Sequence, residues 1–232
     1  MKGARSTNNN SKCDLPEAKR IVIVDDHPLF RKGLEQLIQS HDGLAICGEA
    51  ANAAEAMDVI RQIAPDMAIV DLSLPGANGI ELIKNIRAEF PKLLILVLSM
   101  HDESLYALRS MRVGAQGYVM KQEALDSVVS AIREIFAGRP YLSPAMSANV
   151  IAKFAQGAGE GSANVVDGLS DRELEILELI GNGRDVREIA KALHLSPKTV
   201  ETHRAHIKEK LNLQNARQVA RFAVQWLEGQ TS

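Results

Sequence analysis

A doubly wound α/β domain with a five-stranded parallel sheet, followed by a small all-α helix-turn-helix domain, is the fold class predicted by this sequence. Three observations carry the prediction. Short apolar runs alternate with amphipathic stretches from residue 20 to residue 138, the rhythm of strand–helix units. Several of those runs end in an ionisable or hydroxyl residue. Past a glycine-rich stretch at 156–162 the pattern becomes purely helical.

The first strand is predicted over Arg20–Val24, ending in Asp25-Asp26. His27-Pro28 follows, and proline suits the first turn of a helix, here running to about Ser40. Leu44–Ala50 is the second strand and Ala53–Ile63 the next helix, stopped before Pro65. Ala68-Ile69-Val70-Asp71-Leu72-Ser73-Leu74-Pro75-Gly76 is central. It places one carboxylate where an apolar strand, Met67–Asp71, meets a turn. A strand apolar on both faces belongs inside a parallel sheet, and ligands of open α/β sheets bind at carboxyl strand ends. A helix over Gly79–Phe90, a strand over Leu93–Ser99, a helix over Ser104–Val113, a strand over Gly117–Met120 ending at Lys121, and a helix over Ala124–Ala137 complete the domain. Ser143-Pro144 opens one more helix to about Phe154.

Composition narrows the functional classes. With 232 residues, 46% hydrophobic and 24% charged, the chain has one to two globular domains. Its net charge of −2 gives no overall attraction to nucleic acid, so such binding needs a local patch. Cys13 and Cys47 show no pairing pattern or metal spacing, which predicts a reducing, cytoplasmic setting. No apolar run is long enough for a membrane span. Residues 1–19 lack the apolar segment of a signal peptide and read as a disordered tail. The glycines at 157, 159 and 161 have no preceding strand and no G-K-[ST], so they read as linker.

In a parallel sheet Asp25, Asp26, Asp71, Ser99 and Lys121 all fall on one edge. Each alone has a bland explanation: a strand-end Asp usually caps a turn or helix, and a single lysine is usually solvated. Their joint occurrence at the ends of four strands argues against that. Clustered carboxylates hold a hard cation such as Mg²⁺, a lysine and a hydroxyl neutralise and hydrogen-bond a phosphoryl group, and a carboxylate accepts one. Asp71 is therefore the predicted phosphoacceptor.

Residues 20–138 resemble the receiver domain of two-component response regulators. The matching residues are Val24-Asp25-Asp26-His27-Pro28, Asp71 through Gly76 with Gly79, Ser99, and Gly114 through Lys121. The resemblance implies phosphoryl transfer to Asp71 from a sensor histidine kinase. It implies Mg²⁺ held by Asp26, Asp71 and the backbone carbonyl of Ser73, with Asp25 acting partly through water, and Lys121 pairing with the phosphoryl group. It makes Ser99 and Tyr118 the switch pair and gives His101 a weak role in dephosphorylation.

Ser170 with Glu173, and Asp185 with Glu188, are spaced as capping boxes, opening helices to about Ile180 and Leu193. A third helix runs from Ser196-Pro197 to about Leu211 and a fourth over Ala216–Leu227. The second and third, joined by a residue or two, predict a helix-turn-helix. Residues 168–227 resemble the LuxR/NarL-type output domain through Leu169-Ser170-Asp171-Arg172-Glu173, Glu188-Ile189-Ala190 and Leu195 through Arg204. The chain thus divides into a tail (1–19), a receiver (20–138), a linker with a short helix (139–167) and a DNA-binding domain (168–232).

Helical spacing turns Val200, Ile207 and Leu211 inward and leaves Lys198, Glu201, Thr202, Ala205 and Lys208 on or beside the opposite side. Between Ser196 and Arg221 cations outnumber anions, the footprint of phosphate contacts. Base reading is assigned to Glu201, Thr202 and Ala205. Backbone positioning is assigned to Lys198, Thr199, Arg204 and Lys208. His203, beside the buried stripe, is either a further DNA contact or a core histidine. Val219, Phe222, Ala223 and Trp226 form a stripe on the last helix. By resemblance that helix is the homodimer surface on double-stranded DNA.

The sequence therefore predicts a phosphorylation-dependent transcription regulator whose chemistry is self-directed, and so no enzyme. The same acid cluster would serve a Mg²⁺-dependent phosphotransferase or phosphatase with an aspartyl intermediate. A DNA-binding protein with a vestigial receiver is a further alternative, opposed by the complete set of pocket residues.

Overall fold

The computed structural model describes residue 13 and residues 18–101, 103–122, 125–155, 166 and 168–229. The glycine-rich stretch and most of the expected tail lie outside the described residues. The chain divides into two compact units, residues 1–150 and 151–232.

The first unit holds β1 (Lys19–Val24), α1 (Pro28–Gln39), β2 (Leu44–Ala50), α2 (Ala53–Ile63), β3 (Met67–Val70), α3 (Gly79–Glu89), β6 (Leu94–Ser99), α4 (Glu103–Arg112), β7 (Gly117–Met120) and α5 (Leu125–Phe136). Between β3 and α3 lies a two-stranded hairpin, β4 (Ser73–Leu74) and β5 (Ala77–Asn78). The five long strands form one parallel sheet in the order β2-β1-β3-β6-β7, the doubly wound arrangement the sequence predicts. Alternation along the strands supplies both faces. Ile21, Ile23, Met67, Ile69, Leu96, Leu98 and Val119 meet Leu34 and Ile38 of α1 and Val128, Ile132 and Ile135 of α5 in one cluster. Residues of the opposite parity, Val22, Ala68, Ile95 and Val97, are fully buried as well, as a strand covered on both faces requires.

Two short features escaped the sequence reading. The hairpin's strands have two residues each, too few for any period to show. It turns through Pro75-Gly76, and Gly76 has a φ of +75°, the conformation a type II turn asks of its third residue. The disulfide Cys13–Cys47 corrects the expectation of unpaired cysteines. Cys47 is the extra residue where the register between β1 and β2 slips, between Ile21↔Ile46 and Val22↔Gly48. A bulge re-aims its side chain, and this one sits on an edge strand. Lys19, assigned to the tail, begins β1.

The helix α6 (Pro144–Ala155) follows, and the second unit contains α7 (Asp171–Gly181), α8 (Val186–Ala192), α9 (Pro197–Lys210) and α10 (Ala216–Glu228). Capping boxes are present at Ser170/Glu173 and Asp185/Glu188. The α8–α9 turn is Leu193–Ser196, longer than the predicted residue or two, because α8 stops early: His194 adopts a left-handed φ of 53°, which ends a helix. Leu174, Ile176 and Leu177 of α7, Ile189 of α8, Val200 and Ile207 of α9 and Val219 and Ala223 of α10 are among the buried residues of this unit's core. Among the described residues no helix is long and apolar enough to cross a membrane.

Candidate functional site

The sheet register builds the pocket. Val24 pairs with Val70, and Ser99 with Met120. The ladder then runs one residue past the strands: Asp25 N–H donates to Ala50 O (3.0 Å), Asp71 N–H to Val24 O (2.9 Å) and Lys121 N–H to Ser99 O (2.8 Å). Asp25, Asp71, Ser99 and Lys121 therefore share one edge for backbone reasons alone.

Lys121 Nζ bridges the two buried carboxylates, 2.5 Å from Asp25 Oδ2 and 2.7 Å from Asp71 Oδ2. It also stands 4.6 Å from the centroid of the Phe30 ring. Burial alone would lower the Lys121 pKa, but attraction to Asp71 and hydrogen bonds to Asp25 and Asp71 outweigh it and hold the pKa above that of an ordinary amine. The ammonium is thus charged and partly neutralises the carboxylates. Asp71 Oδ1 accepts a hydrogen bond from Ser73 N–H (3.2 Å).

Asp25, Asp26, His27 and Asp71 each offer one ligand atom, all within 4.8 Å of one another. Asp26 Oδ1 is shut off from solvent and makes no hydrogen bond. His27 Nδ1 stands 2.7 Å away, outside hydrogen-bonding geometry. A buried carboxylate oxygen without a donor fits a bound cation. Ser99 is buried, and its Oγ accepts from His101 N–H (3.3 Å). Tyr118 is buried too, its hydroxyl donating to His101 O (2.8 Å). The Ser99 and Tyr118 side chains thus meet the same short segment. His101 Nε2 lies 3.1 Å from Ser73 Oγ, which brings its ring to the residue that holds Asp71.

Sequence reasoning quoted His27 and Phe30's helix without assigning either a role. His27 N–H caps Asp25 Oδ1 (2.8 Å), and Arg31 Nη1 donates to Asp25 O (2.5 Å). Their adjacency to Asp25-Asp26 was the only available signal. Gly79 is required by close approach: a Cβ there would collide with the backbone of Asp71 and Leu72. That fixes the start of α3 against the Asp71–Leu72 backbone.

In the second unit Ser196 caps α9, accepting from Thr199 N–H (3.0 Å). Val200 and Ile207 are buried, whereas Lys198, Glu201, Thr202 and Ala205 are exposed. Thr199, Arg204 and Lys208 are half-buried. Arg204 Nη1 pairs with Glu201 Oε1 (3.1 Å), joining a residue assigned to phosphate with one assigned to bases. Thr202 Oγ1 donates to Lys198 O (3.0 Å). His203 lies on the other side, half-buried, with Nδ1 sealed from solvent and unpartnered. On α10 Val219 and Ala223 are buried, Phe222 and Trp226 half-buried and Val224 exposed.

Comparison with known proteins follows the same division. Residues 21–133 match the family described as response regulator receiver domain, and residues 167–223 the bacterial regulatory proteins of the luxR family. Oxygen regulatory protein NreC of Staphylococcus carnosus (strain TM300) is 36% identical over 209 residues, covering 88% of this chain and 96% of that one. NreC of Staphylococcus aureus (strain JH9) is 34% identical over the same length. RcsB from Salmonella enterica serovar Typhimurium has been solved bound to promoter rprA with a phosphomimetic. It superposes with a TM-score of 0.61 at 27% identity, covering 89% of this chain and 98% of that one. A LuxR-family response regulator from Aurantimonas sp. SI85-9A1 covers 60% of this chain and 99% of its own, at 39% identity and a TM-score of 0.56. A pocket of strand-end carboxylates bridged by a lysine in one unit, a helix-turn-helix in the other and relatives spanning both together place this chain in the family of two-component response regulators that join a receiver domain to a LuxR-type DNA-binding domain.

Proposed function

We propose that phosphorylation of Asp71 by a sensor histidine kinase controls DNA binding by this chain. The observation that supports it is the setting of Asp71: buried at the end of β3, with Oδ2 on Lys121 (2.7 Å) and Oδ1 on Ser73 N–H (3.2 Å). A carboxylate oxygen of Asp71 attacks the phosphorus of a phosphohistidine; the N–P bond breaks as the O–P bond forms. Asp25, Asp26, Asp71 and the Ser73 carbonyl would hold Mg²⁺, which supplies charge neutralisation for the transferring phosphoryl oxygens. Lys121 moves from the carboxylates to the new phosphoryl group. Ser99 donates its hydroxyl to that group, and Tyr118 follows, since both side chains hold the 99–101 segment. His101, beside Ser73, tunes access of water and hence dephosphorylation.

The output is release of the 168–232 domain for DNA. Glu201, Thr202 and Ala205 face base edges, and Lys198, Thr199, Arg204 and Lys208 face phosphates; His203 adds a contact only if its ring leaves the interior. Homodimerisation uses α10, whose Phe222, Val224 and Trp226 keep apolar surface exposed; two half-sites then lie about one helical turn apart. A regulator that binds chromosomal DNA works in the cytoplasm.

Treating the protein with beryllofluoride or acetyl phosphate should tighten binding to operator DNA at least about tenfold, or about 1.4 kcal/mol, by fluorescence anisotropy. Asp71→Asn should not respond. An unchanged affinity, or an equal gain in the variant, defeats the reading. Catalytic turnover of a small phosphoester, in place of one phosphoryl group per chain, would instead establish the phosphatase alternative.

A further inference from the structure

We propose that Glu173, His203 and His206 form a binding site for a zinc-class transition-metal ion that ties the first turn of α7 to the middle of α9. One carboxylate oxygen of Glu173 and one ring nitrogen of each histidine lie within 4.8 Å of one another. This set is separate from the acidic pocket of the first unit.

Its chemistry differs as well. Two imidazoles and one carboxylate suit zinc, nickel or copper, whereas the all-oxygen pocket suits magnesium. Three protein ligands with a fourth position for water is a familiar zinc arrangement.

The two oxygens of Glu173 are already divided between tasks. Oε2 accepts from Ser170 N–H (2.7 Å) and Lys210 Nζ (2.7 Å). Oε1 faces His206 Nδ1 at 3.6 Å, beyond hydrogen-bond reach. A metal on Oε1 therefore leaves the capping box and the Lys210 pair in place. His203 and His206 are three residues apart on α9, so they project to one side of the helix. Their rings are perpendicular with centroids 6.4 Å apart, an edge-to-face pair. The second observation is the His203 Nδ1 noted above, buried with no hydrogen-bond partner. Imidazole nitrogens sealed from solvent normally find a partner, and a metal ion is one that this arrangement admits.

Bonds of about 2.0–2.1 Å put the ligand atoms of a tetrahedral zinc roughly 3.4 Å apart. Closing from at most 4.8 Å needs a shift of no more than about 1.4 Å. His206, with a side chain 52% exposed, is free to rotate by that much. Lys210 and Arg172 are the nearby cations. Lys210 is held on Oε2, and Arg172 is held by Glu175 Oε2 (2.7 Å) and Leu193 O (2.7 Å).

The test is a Zn²⁺ titration of the full chain against a chelating indicator. It uses saturating Mg²⁺ and an Asp26→Asn background, so that the acidic pocket does not report. One zinc per chain is expected, bound at least tenfold more weakly after His206→Gln, with the His203 and His206 ring C–H resonances shifting together. His206 is surface-exposed, so the variant should fold; retention of the far-ultraviolet circular dichroism spectrum confirms it. Equal zinc affinity with and without His206→Gln, or zinc binding that leaves the His203 resonances unmoved, overturns the proposal.

Discussion

Lys121 carries the charge balance of the acidic pocket. Two buried carboxylates share its ammonium, and removing one partner of a buried ion pair leaves the rest uncompensated. Lys121→Ala should lower stability by about 3 kcal/mol at neutral pH without magnesium, read from urea midpoints. Most of that loss should vanish in Lys121→Ala/Asp71→Asn, because one buried negative charge has gone with the cation. A single variant as stable as wild type would show that the carboxylates are neutralised some other way. Gly79 acts through shape. With no room for a Cβ against the Asp71 and Leu72 backbone, Gly79→Ala should cost about 2 kcal/mol and slow acetyl-phosphate labelling of Asp71, measured by intact mass. Labelling at the wild-type rate would mean that the loop gives way without moving the carboxylate.

Among the elements, α8 depends most on its end. Seven residues are too few for a helix to stand alone. Asp185 accepts from the N–H groups of Arg187 and Glu188, both at 2.8 Å. Asp185→Ala should cost about 1 kcal/mol and weaken DNA binding by loosening the support of α9. A melting temperature unchanged from wild type would contradict this. The α7 cap adds a pH dependence. Burial would raise the Glu173 pKa, but hydrogen bonds from Lys210 and Ser170 outweigh it and hold the pKa below the ordinary carboxylate value. Its folded pKa is depressed, so its stabilisation is present above the ordinary glutamate range and lost as pH falls through the folded value. The helix-turn-helix domain should therefore melt earlier as pH drops below about 4.5. Glu173→Gln should flatten that dependence in thermal scans; an unchanged acid limb would point to other carboxylates.

At the scale of the molecule, the Cys13–Cys47 disulfide closes a span of 34 residues and removes conformations from the unfolded chain. Loop entropy sets its contribution at no more than about 4 kcal/mol. Reduction with dithiothreitol should lower the unfolding midpoint of the first unit and leave the second unchanged; equal midpoints would show that the closed loop is already ordered without the bond.

What the sequence determined by itself was whatever rests on short-range pattern: strand and helix identity, the capping boxes, and the set of strand ends carrying Asp25, Asp71, Ser99 and Lys121. Those ends align because a parallel sheet orients every strand alike. Tertiary structure decided what depends on partners distant in the chain. Lys121 and Asp71 are 50 residues apart, and their pairing follows from register and from the Phe30 ring beneath the ammonium. Cys47 meets Cys13 because a bulge turns it, and no spacing announces a bulge. His203 lies on the border between the buried and exposed sides of α9. Only the position of Glu173 on the neighbouring helix shows that it faces inward, because helical periodicity fixes an angle around one axis and leaves unstated what stands across from it.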